Sequence, residues 1–298
     1  MSDDAKAWGD FWAKNSGGDA NGCLPERWAA IEDAQREAWL DFIANLPNGA
    51  HILDLATGDG RVLRWMHEGR SGLILQGIDL APELPTAPEG TTTRGGVAME
   101  ELPFEDDCFD AVVSQFGFEY GDVAKVAAEI SRVLKPQGRV GLMVHRGDGP
   151  ILEHNKARMD AIHWALEEKN VGGTVIRALN TPGAGVPVAA QVAAAFAKLG
   201  AANFGASSPA WEIPEAIRRA CQMGPGGDMQ PILDTIGAIT AQAENEMGRI
   251  SSLARACATA DDRAGLVGAF EAHGHTLSAS DAVAEPSGRA LADFLSFG

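Results

Sequence analysis

This 298-residue chain is set apart first by what it has little of: one tyrosine, aromatic residues at only 6%, and four cysteines. Cys23, Cys108, Cys221 and Cys257 lie far apart, with no C-x-x-C pair and no histidine at metal-ligand offset. That rules against zinc ribbons, dithiol redox motifs and disulfide scaffolds, and predicts reduced thiols. Cations are scarce as well, 24 Lys and Arg against 41 Asp and Glu, for a formal net charge of −17. Such a field repels phosphate backbones and anionic headgroups, so no nucleic acid and no membrane partner is expected. No window approaches the apolar run of about 20 residues that spans a bilayer. The start, Met1-Ser2-Asp3-Asp4-Ala5-Lys6, is acidic where a secretory signal is basic. A soluble, cytoplasmic protein is expected, acting on a small molecule or peptide. The scattered acids form no cluster suited to a hard cation, so no metal is expected.

What the chain does have is 45% hydrophobic content, enough to bury a core, and one commanding stretch, His51-Ile52-Leu53-Asp54-Leu55-Ala56-Thr57-Gly58-Asp59-Gly60-Arg61. A short apolar run ending in an acid turns through two glycines into Val62-Leu63-Arg64-Trp65-Met66, whose apolar spacing is helical. Strand, tight turn and helix follow, with Asp54, Ala56, Thr57, Gly58 and Gly60 around a ligand and free N–H groups of a helix starting near Asp59 aimed at it. A dinucleotide site wants G-x-G-x-x-G, and the third glycine position is Leu63. A second strand, Leu73 to Asp79, ends in a carboxylate placed to accept two hydrogen bonds from a ribose diol. Pro82, Pro85 and Pro88 leave little room for a helix that Asp79 would cap instead.

Two more stretches complete a pattern. Leu102-Pro103-Phe104 precedes Phe109-Asp110-Ala111-Val112-Val113-Ser114, a loop followed by a buried strand, and Glu129-Ile130-Ser131-Arg132-Val133-Leu134-Lys135-Pro136-Gln137-Gly138 leads into a strand from Arg139 to Val144. Together with Asp54-x-x-x-Gly58-x-Gly60, these motifs resemble the class I S-adenosylmethionine-dependent methyltransferases, in particular the group that includes ubiquinone- and menaquinone-biosynthesis enzymes. The family writes its first motif D/E-x-G-x-G-x-G, and Ala56 stands where the first glycine is commonest. The resemblance implies S-adenosylmethionine as cofactor and an α/β fold: a Rossmann-like, seven-stranded, mostly parallel sheet with helices on both faces. It places Leu80 against adenine. The acid that often contacts the adenine amino group is replaced by Ala98, which leaves that anchor to backbone near Met99 and to Glu100.

Open α/β sheets bind ligands at the carboxyl ends of their strands, so Ser114, Gln115, Glu119 and Tyr120 are expected to face donor and acceptor. Methyl transfer from a sulfonium demands alignment and exclusion of water, and a hydroxyl or ammonium acceptor must also lose a proton. His145, at the tip of the fifth strand, is the best-placed base, with Glu119 and Tyr120 orienting the acceptor; His154 and His163 are weaker candidates. Residues 1–48 read as N-terminal helices, with Trp8, Phe11 and Trp12 either core or a lid and Trp28, Ile31, Trp39, Phe42 and Ile43 on a buried face. Residues 49–146 form the cofactor core and 147–259 an inserted helical cap, with helices at 154–170, 188–199, 214–223 and 231–258. Residues 260–298 complete the sheet with strands at 275–284 and 289–297, unless one closing strand lies near 203–211. A homodimer is compatible with this reading. Two other function classes stay open: a nucleotide-dependent oxidoreductase, against which Leu63 stands, and a non-catalytic partner-binding protein, which has no reason to keep the glycine turn and Asp79.

Overall fold

The computed structural model describes residues 29–223 and 229–298; Trp8, Phe11, Trp12 and Trp28, read above as core or lid, lie outside the described residues. Contacts divide the chain into two units, one running through Leu152 and resuming at Ser252–Gly298, the other Glu153–Ser251.

In the first unit, helix α1 (Ala29–Ala44) is followed by β1 (His51–Leu55), α2 (Arg61–Gly69), β2 (Ile74–Ile78), β3 (Thr91–Arg94) and β4 (Phe109–Gln115). A 3-10 turn (Phe118–Tyr120), α3 (Val123–Val133) and β5 (Leu134–His145) come next, and after the helical unit the chain closes with α9 (Arg263–Glu271), β6 (Leu277–Ala284) and β7 (Ala290–Phe297). One seven-stranded sheet results, in the order β3-β2-β1-β4-β5-β7-β6. β7 runs antiparallel to both neighbours and the other pairings are parallel. This is the mostly parallel α/β fold expected. The competing closing strand near 203–211 is instead the end of one helix, a turn over 205–208 and the start of the next helix.

The central strands owe their position to near-continuous apolar runs, since a parallel strand is covered on both faces. One face of the sheet buries Leu53, Val112, Val140 and Leu142 beneath Val126, Ile130 and Val133 of α3 and Leu266 and Phe270 of α9. The other buries Ile52, Ala111, Val113 and Met143 beneath Trp39, Phe42 and Ile43 of α1 and Leu63 and Met66 of α2. Trp39 is fully buried and meets Phe294 edge-on at 4.9 Å between ring centroids; truncating such a residue to alanine costs about 3–5 kcal/mol. Strand order reverses between β1 and β4, which makes their carboxyl ends the crevice where an open α/β sheet binds its ligand.

The second unit is helical. α4 (Pro150–His163) continues as a π-helical turn (Trp164–Glu168), then come α5 (Val171–Leu179), α6 (Gly185–Phe204), α7 (Pro209–Met223) and α8 (Gln230–Asp261). α5 was not anticipated from the sequence. Gly172 and Gly173 lower helix propensity in its first turn, and Asn170 offsets them by capping the amide of Gly173 at 3.1 Å. α7 begins a turn before Pro214, the residue expected to open it. Pro214 has no N–H for the Ala210 carbonyl four residues back, and that carbonyl lies so close to Gly200 of α6 that a Cβ there would come within 1.9 Å. α6 also corrects the expectation that no window approaches a spanning length. Its 20 residues, with a window of mean hydropathy 1.3, are long and apolar enough to cross a membrane. Alanine carries that hydropathy, and Ala189, Ala193 and Ala197 are buried within the helical unit's own core.

Candidate functional site

The turn after β1 is built from left-handed residues: Ala56 (φ 55°), Gly58 (φ 53°) and Gly60 (φ 70°), the last serving as N-cap of α2. A Cβ on Gly60 would meet the Pro88 ring at 2.7 Å, and one on Gly77 of β2 would strike Thr57 Oγ1 at 2.5 Å. The missing side chain at Gly77 thus makes room for Thr57, whose hydroxyl donates to Asp54 Oδ2 at 2.7 Å. α2 starts at Arg61, two residues on from Asp59, and three of the amides that lead into it are already bonded. Gly60 N–H donates to the Thr57 carbonyl, Arg61 N–H to Asp59 Oδ1, and Gly58 N–H to Asp79 Oδ2 at 2.9 Å. An Arg61–Asp59 ion pair at 2.9 Å closes the helix end.

Two buried carboxylates dominate this turn. Asp54 is 1% exposed, and burial pushes its pKa up to about 8 against the opposing hydrogen bond from Thr57, with Asp79 and Asp59 adding like-charge repulsion. Asp79 accepts from the amides of Gly58 and Ala81, at 2.9 Å each. Its pKa is also raised, by burial first, with the hydrogen bonds from Ala81, Gly58 and Leu80 opposing. Each Asp79 oxygen is thus anchored by a backbone amide and retains acceptor capacity for a diol. Leu80, next to it, is exposed.

At the ends of β4 and β5 the sequence-predicted residues divide. Ser114, expected to face the cofactor, uses its hydroxyl inside the fold, donating to the Leu55 carbonyl and accepting from Phe118 N–H, both at 3.0 Å. Gln115 is likewise engaged: Trp39 Nε1–H donates to its Oε1 at 2.6 Å, and its Nε2 donates to Gln35 Oε1 at 3.1 Å. Indole only donates, so the direction of this relay is fixed. It ends on the Gln35 Nε2, buried and without a partner. Glu100 Oε1 accepts from Asp122 N–H at 3.0 Å, and Met99 packs against the core.

Glu119 and His145 form a pair that the sequence did not reveal. Glu119 Oε1 accepts the backbone N–H of His145 at 2.9 Å and meets its Nδ1 at 2.7 Å, with both residues buried. The other oxygen, Oε2, is buried with no partner. Phe116, itself left-handed (φ 56°), lays its ring 4.3 Å from the imidazole, and Tyr120 meets it edge-on at 5.9 Å. His163 sits on the surface beside Glu167 and Glu168. Among the described residues no group of three or more His, Cys, Asp or Glu is placed to hold a metal ion. A cavity of about 640 Å³ in the helical unit is lined by Trp211, Glu215, Arg219 and Ile232. Its Glu215 is paired with Arg218 and Arg219, and Glu212, also on its lining, lies 3.8 Å from Arg158.

A buried acid at the end of β1, a glycine turn, and a second acid at the end of β2 holding that turn by its amide come together as one cradle at the sheet's reversal point. Residues 53–142 match the protein family described as Methyltransferase domain. This segment is a class I methyltransferase domain. A demethylmenaquinone methyltransferase of Thermus thermophilus is 36% identical over 30% of this chain and 44% of its own length. The ubiquinone/menaquinone biosynthesis C-methyltransferase UbiE of Desulfotalea psychrophila is 32% identical over 35% and 46%. The chain therefore spans less than half the length of these relatives. Among solved structures, an S-adenosylmethionine dependent methyltransferase from Mesorhizobium loti aligns over 39% of this chain and 56% of its own, at 24% identity and a TM-score of 0.34.

S-adenosylmethionine is the cofactor that this methyltransferase domain implies, and the cradle fits it. Two departures from the family motifs are now physical. Ala56 stands where the first motif carries glycine, Gln137 where the resembling E-x-x-R-V-L-K-P-G-G stretch carries its first glycine, and both keep the left-handed backbone (φ 55° and 68°) that glycine adopts without strain. The domain retains the geometry and carries the cost in strain, about 1–2 kcal/mol at each position. Sequence reasoning placed Gln35 and Trp39 on a helix and not at the site; an amphipathic helix gives no sign of which strand end it will cover.

Proposed function

We propose that the protein transfers a methyl group from S-adenosylmethionine to a small-molecule or peptide acceptor, without a metal. The observation that carries this reading is the buried acid pair, Asp54 and Asp79, on either side of the glycine turn. A dinucleotide site wants a third glycine after Gly58 and Gly60, and Leu63 stands there. A carboxylate in a low-dielectric site favours a cation, and S-adenosylmethionine brings both a sulfonium and an ammonium. Asp79 would hold the ribose diol, Leu80 and Met99 would flank adenine with Glu100 beside it, and Asp54, Ala56, Thr57, Gly58 and Gly60 would enclose the amino-acid end. Ser114 and Gln115 would act indirectly, by fixing the strand end.

His145 is the proposed proton acceptor. Glu119 Oε1 fixes the Nδ1 side of its ring, which leaves Nε2 to take a proton from the acceptor's nucleophile as it attacks the methyl carbon. The C–S bond breaks and its electron pair stays on sulfur. Tyr120 lines the same edge. A cytoplasmic enzyme, as a monomer or homodimer, suits this chemistry. The quinone acceptors that the relatives' names state are not carried over, because the matched segment is the cofactor half.

Calorimetric titration with S-adenosylmethionine and with NAD tests the reading. Binding of the sulfonium cofactor with silence toward NAD is expected; the reverse would sink it. Turnover, followed as S-adenosylhomocysteine release, should survive EDTA, and magnesium-dependent rescue would overturn the metal-free part.

A further inference from the structure

The acceptor edge contains a group that the proposed reaction does not use: Glu119 Oε2, buried and unpartnered on a side chain that is 0% exposed. Its sister oxygen is saturated by two N–H contacts from His145. A buried carboxylate oxygen without a donor carries a desolvation cost that a ligand donor would relieve. Among the described residues no Lys or Arg pairs with Glu119; the only ion-pair partner it has is the imidazole. Phe116 and Tyr120 both lie against that imidazole, so two aromatic rings stand within a residue or three of the carboxylate in the chain and share its partner in space.

A buried carboxylate oxygen without a donor is a group that an ammonium recognises, through a charge-assisted N–H···O bond. A neutral hydroxyl would satisfy the hydrogen bond and leave the carboxylate's charge uncompensated. From the unpartnered Glu119 Oε2 we infer that the acceptor carries a cationic amine, held by an N–H on Oε2 while His145 serves the reacting atom. The inference rests on the reading of this strand edge as the acceptor side, and the chain's net charge of −17 draws the same class of ligand toward the protein.

The test is calorimetric and uses the full chain saturated with S-adenosylhomocysteine, titrated near pH 7.5 with benzylamine, benzyl alcohol and benzyltrimethylammonium. Benzylamine should bind at least tenfold more tightly than the alcohol. It should also bind more tightly than the quaternary ion, which has the charge and no N–H for Oε2. Glu119→Gln should abolish the preference for benzylamine and leave the affinity for S-adenosylhomocysteine within about twofold. Equal binding of amine and alcohol, or no binding of either, overturns the inference, and a quaternary ion bound as well as the amine overturns the role of Oε2. Should Glu119→Gln not fold, the comparison of the three probes on the parent chain still decides. Failure to bind S-adenosylhomocysteine at all would instead refute the methyltransferase reading.

Discussion

The two acid-bearing ends of the sheet differ in how far the protein has completed them by itself. At the β1 and β2 ends both acids already have donors within the fold: Thr57 serves Asp54, and the Gly58 and Ala81 amides serve Asp79. At the β4 and β5 ends the network stops short twice, at the Gln35 Nε2 and at Glu119 Oε2. A cofactor common to a whole family can be met by a finished cradle with its cost carried in the fold. On the proposed reading, an acceptor particular to one enzyme is met by groups that stay unpaired until it arrives.

His145→Gln gives the sharpest separation of the two ends. If the imidazole is the base, kcat should fall about 10²–10⁴-fold while the dissociation constant for S-adenosylmethionine stays unchanged; equal losses in both would merge the two ends into one. Asp79→Ala attacks the finished end. It removes an acceptor from two backbone amides and from the ribose, each loss worth about 1–3 kcal/mol, so cofactor affinity should drop at least tenfold and the unfolding midpoint should fall too. A variant with unchanged affinity would show that this strand-end acid does not touch the cofactor.

Asp54 links the cradle to pH. Its folded pKa of about 8 stands above the ordinary value of 3.8, so the folded protein holds a proton that the unfolded chain has released. Its contribution to stability is fully present below the unfolded pKa and is lost as pH rises through the folded value, and Asp79, raised in the same direction, adds to the slope. The cofactor-free protein should therefore lose stability between about pH 4 and 8 in thermal melts. Asp54→Asn should flatten that slope. Binding of a cation should release the proton, so calorimetry at pH 7 in buffers of different ionisation enthalpy should show proton release for the parent chain and less for Asp54→Asn.

The smallest effect is expected at Gln137→Gly, which relieves a left-handed side chain far from both ends and should raise stability by about 1 kcal/mol in denaturant melts, with kcat and cofactor affinity unmoved.

Much of the cofactor end was legible before any coordinates because its information is local. Asp54, Gly58 and Gly60 occupy one turn, and Asp79 closes the next strand, so spacing along the chain fixes spacing in space. Left-handed geometry at Ala56 and Gln137 was not legible, because nothing in an alanine or a glutamine announces a positive φ; only the family motif hinted at it. The helical unit was read with its helices shifted and one missing. Glycines at Gly172 and Gly173 look like a break until Asn170 caps them, and Pro214 looks like a start until α7 is seen to run through it.

By itself the sequence determined the alternation of strands and helices, the cofactor turn and the acids beside it, since apolar periodicity, glycine placement and strand-end carboxylates act within a few residues of one another. Tertiary structure alone decided that Glu119 holds His145 across 26 residues and that Trp39 and Gln35 reach Gln115 across 76 and 80. Those contacts depend on which strand ends the sheet brings side by side and on which helix covers them. Pairing across the order β1-β4-β5 sets that arrangement, and no local spacing encodes it.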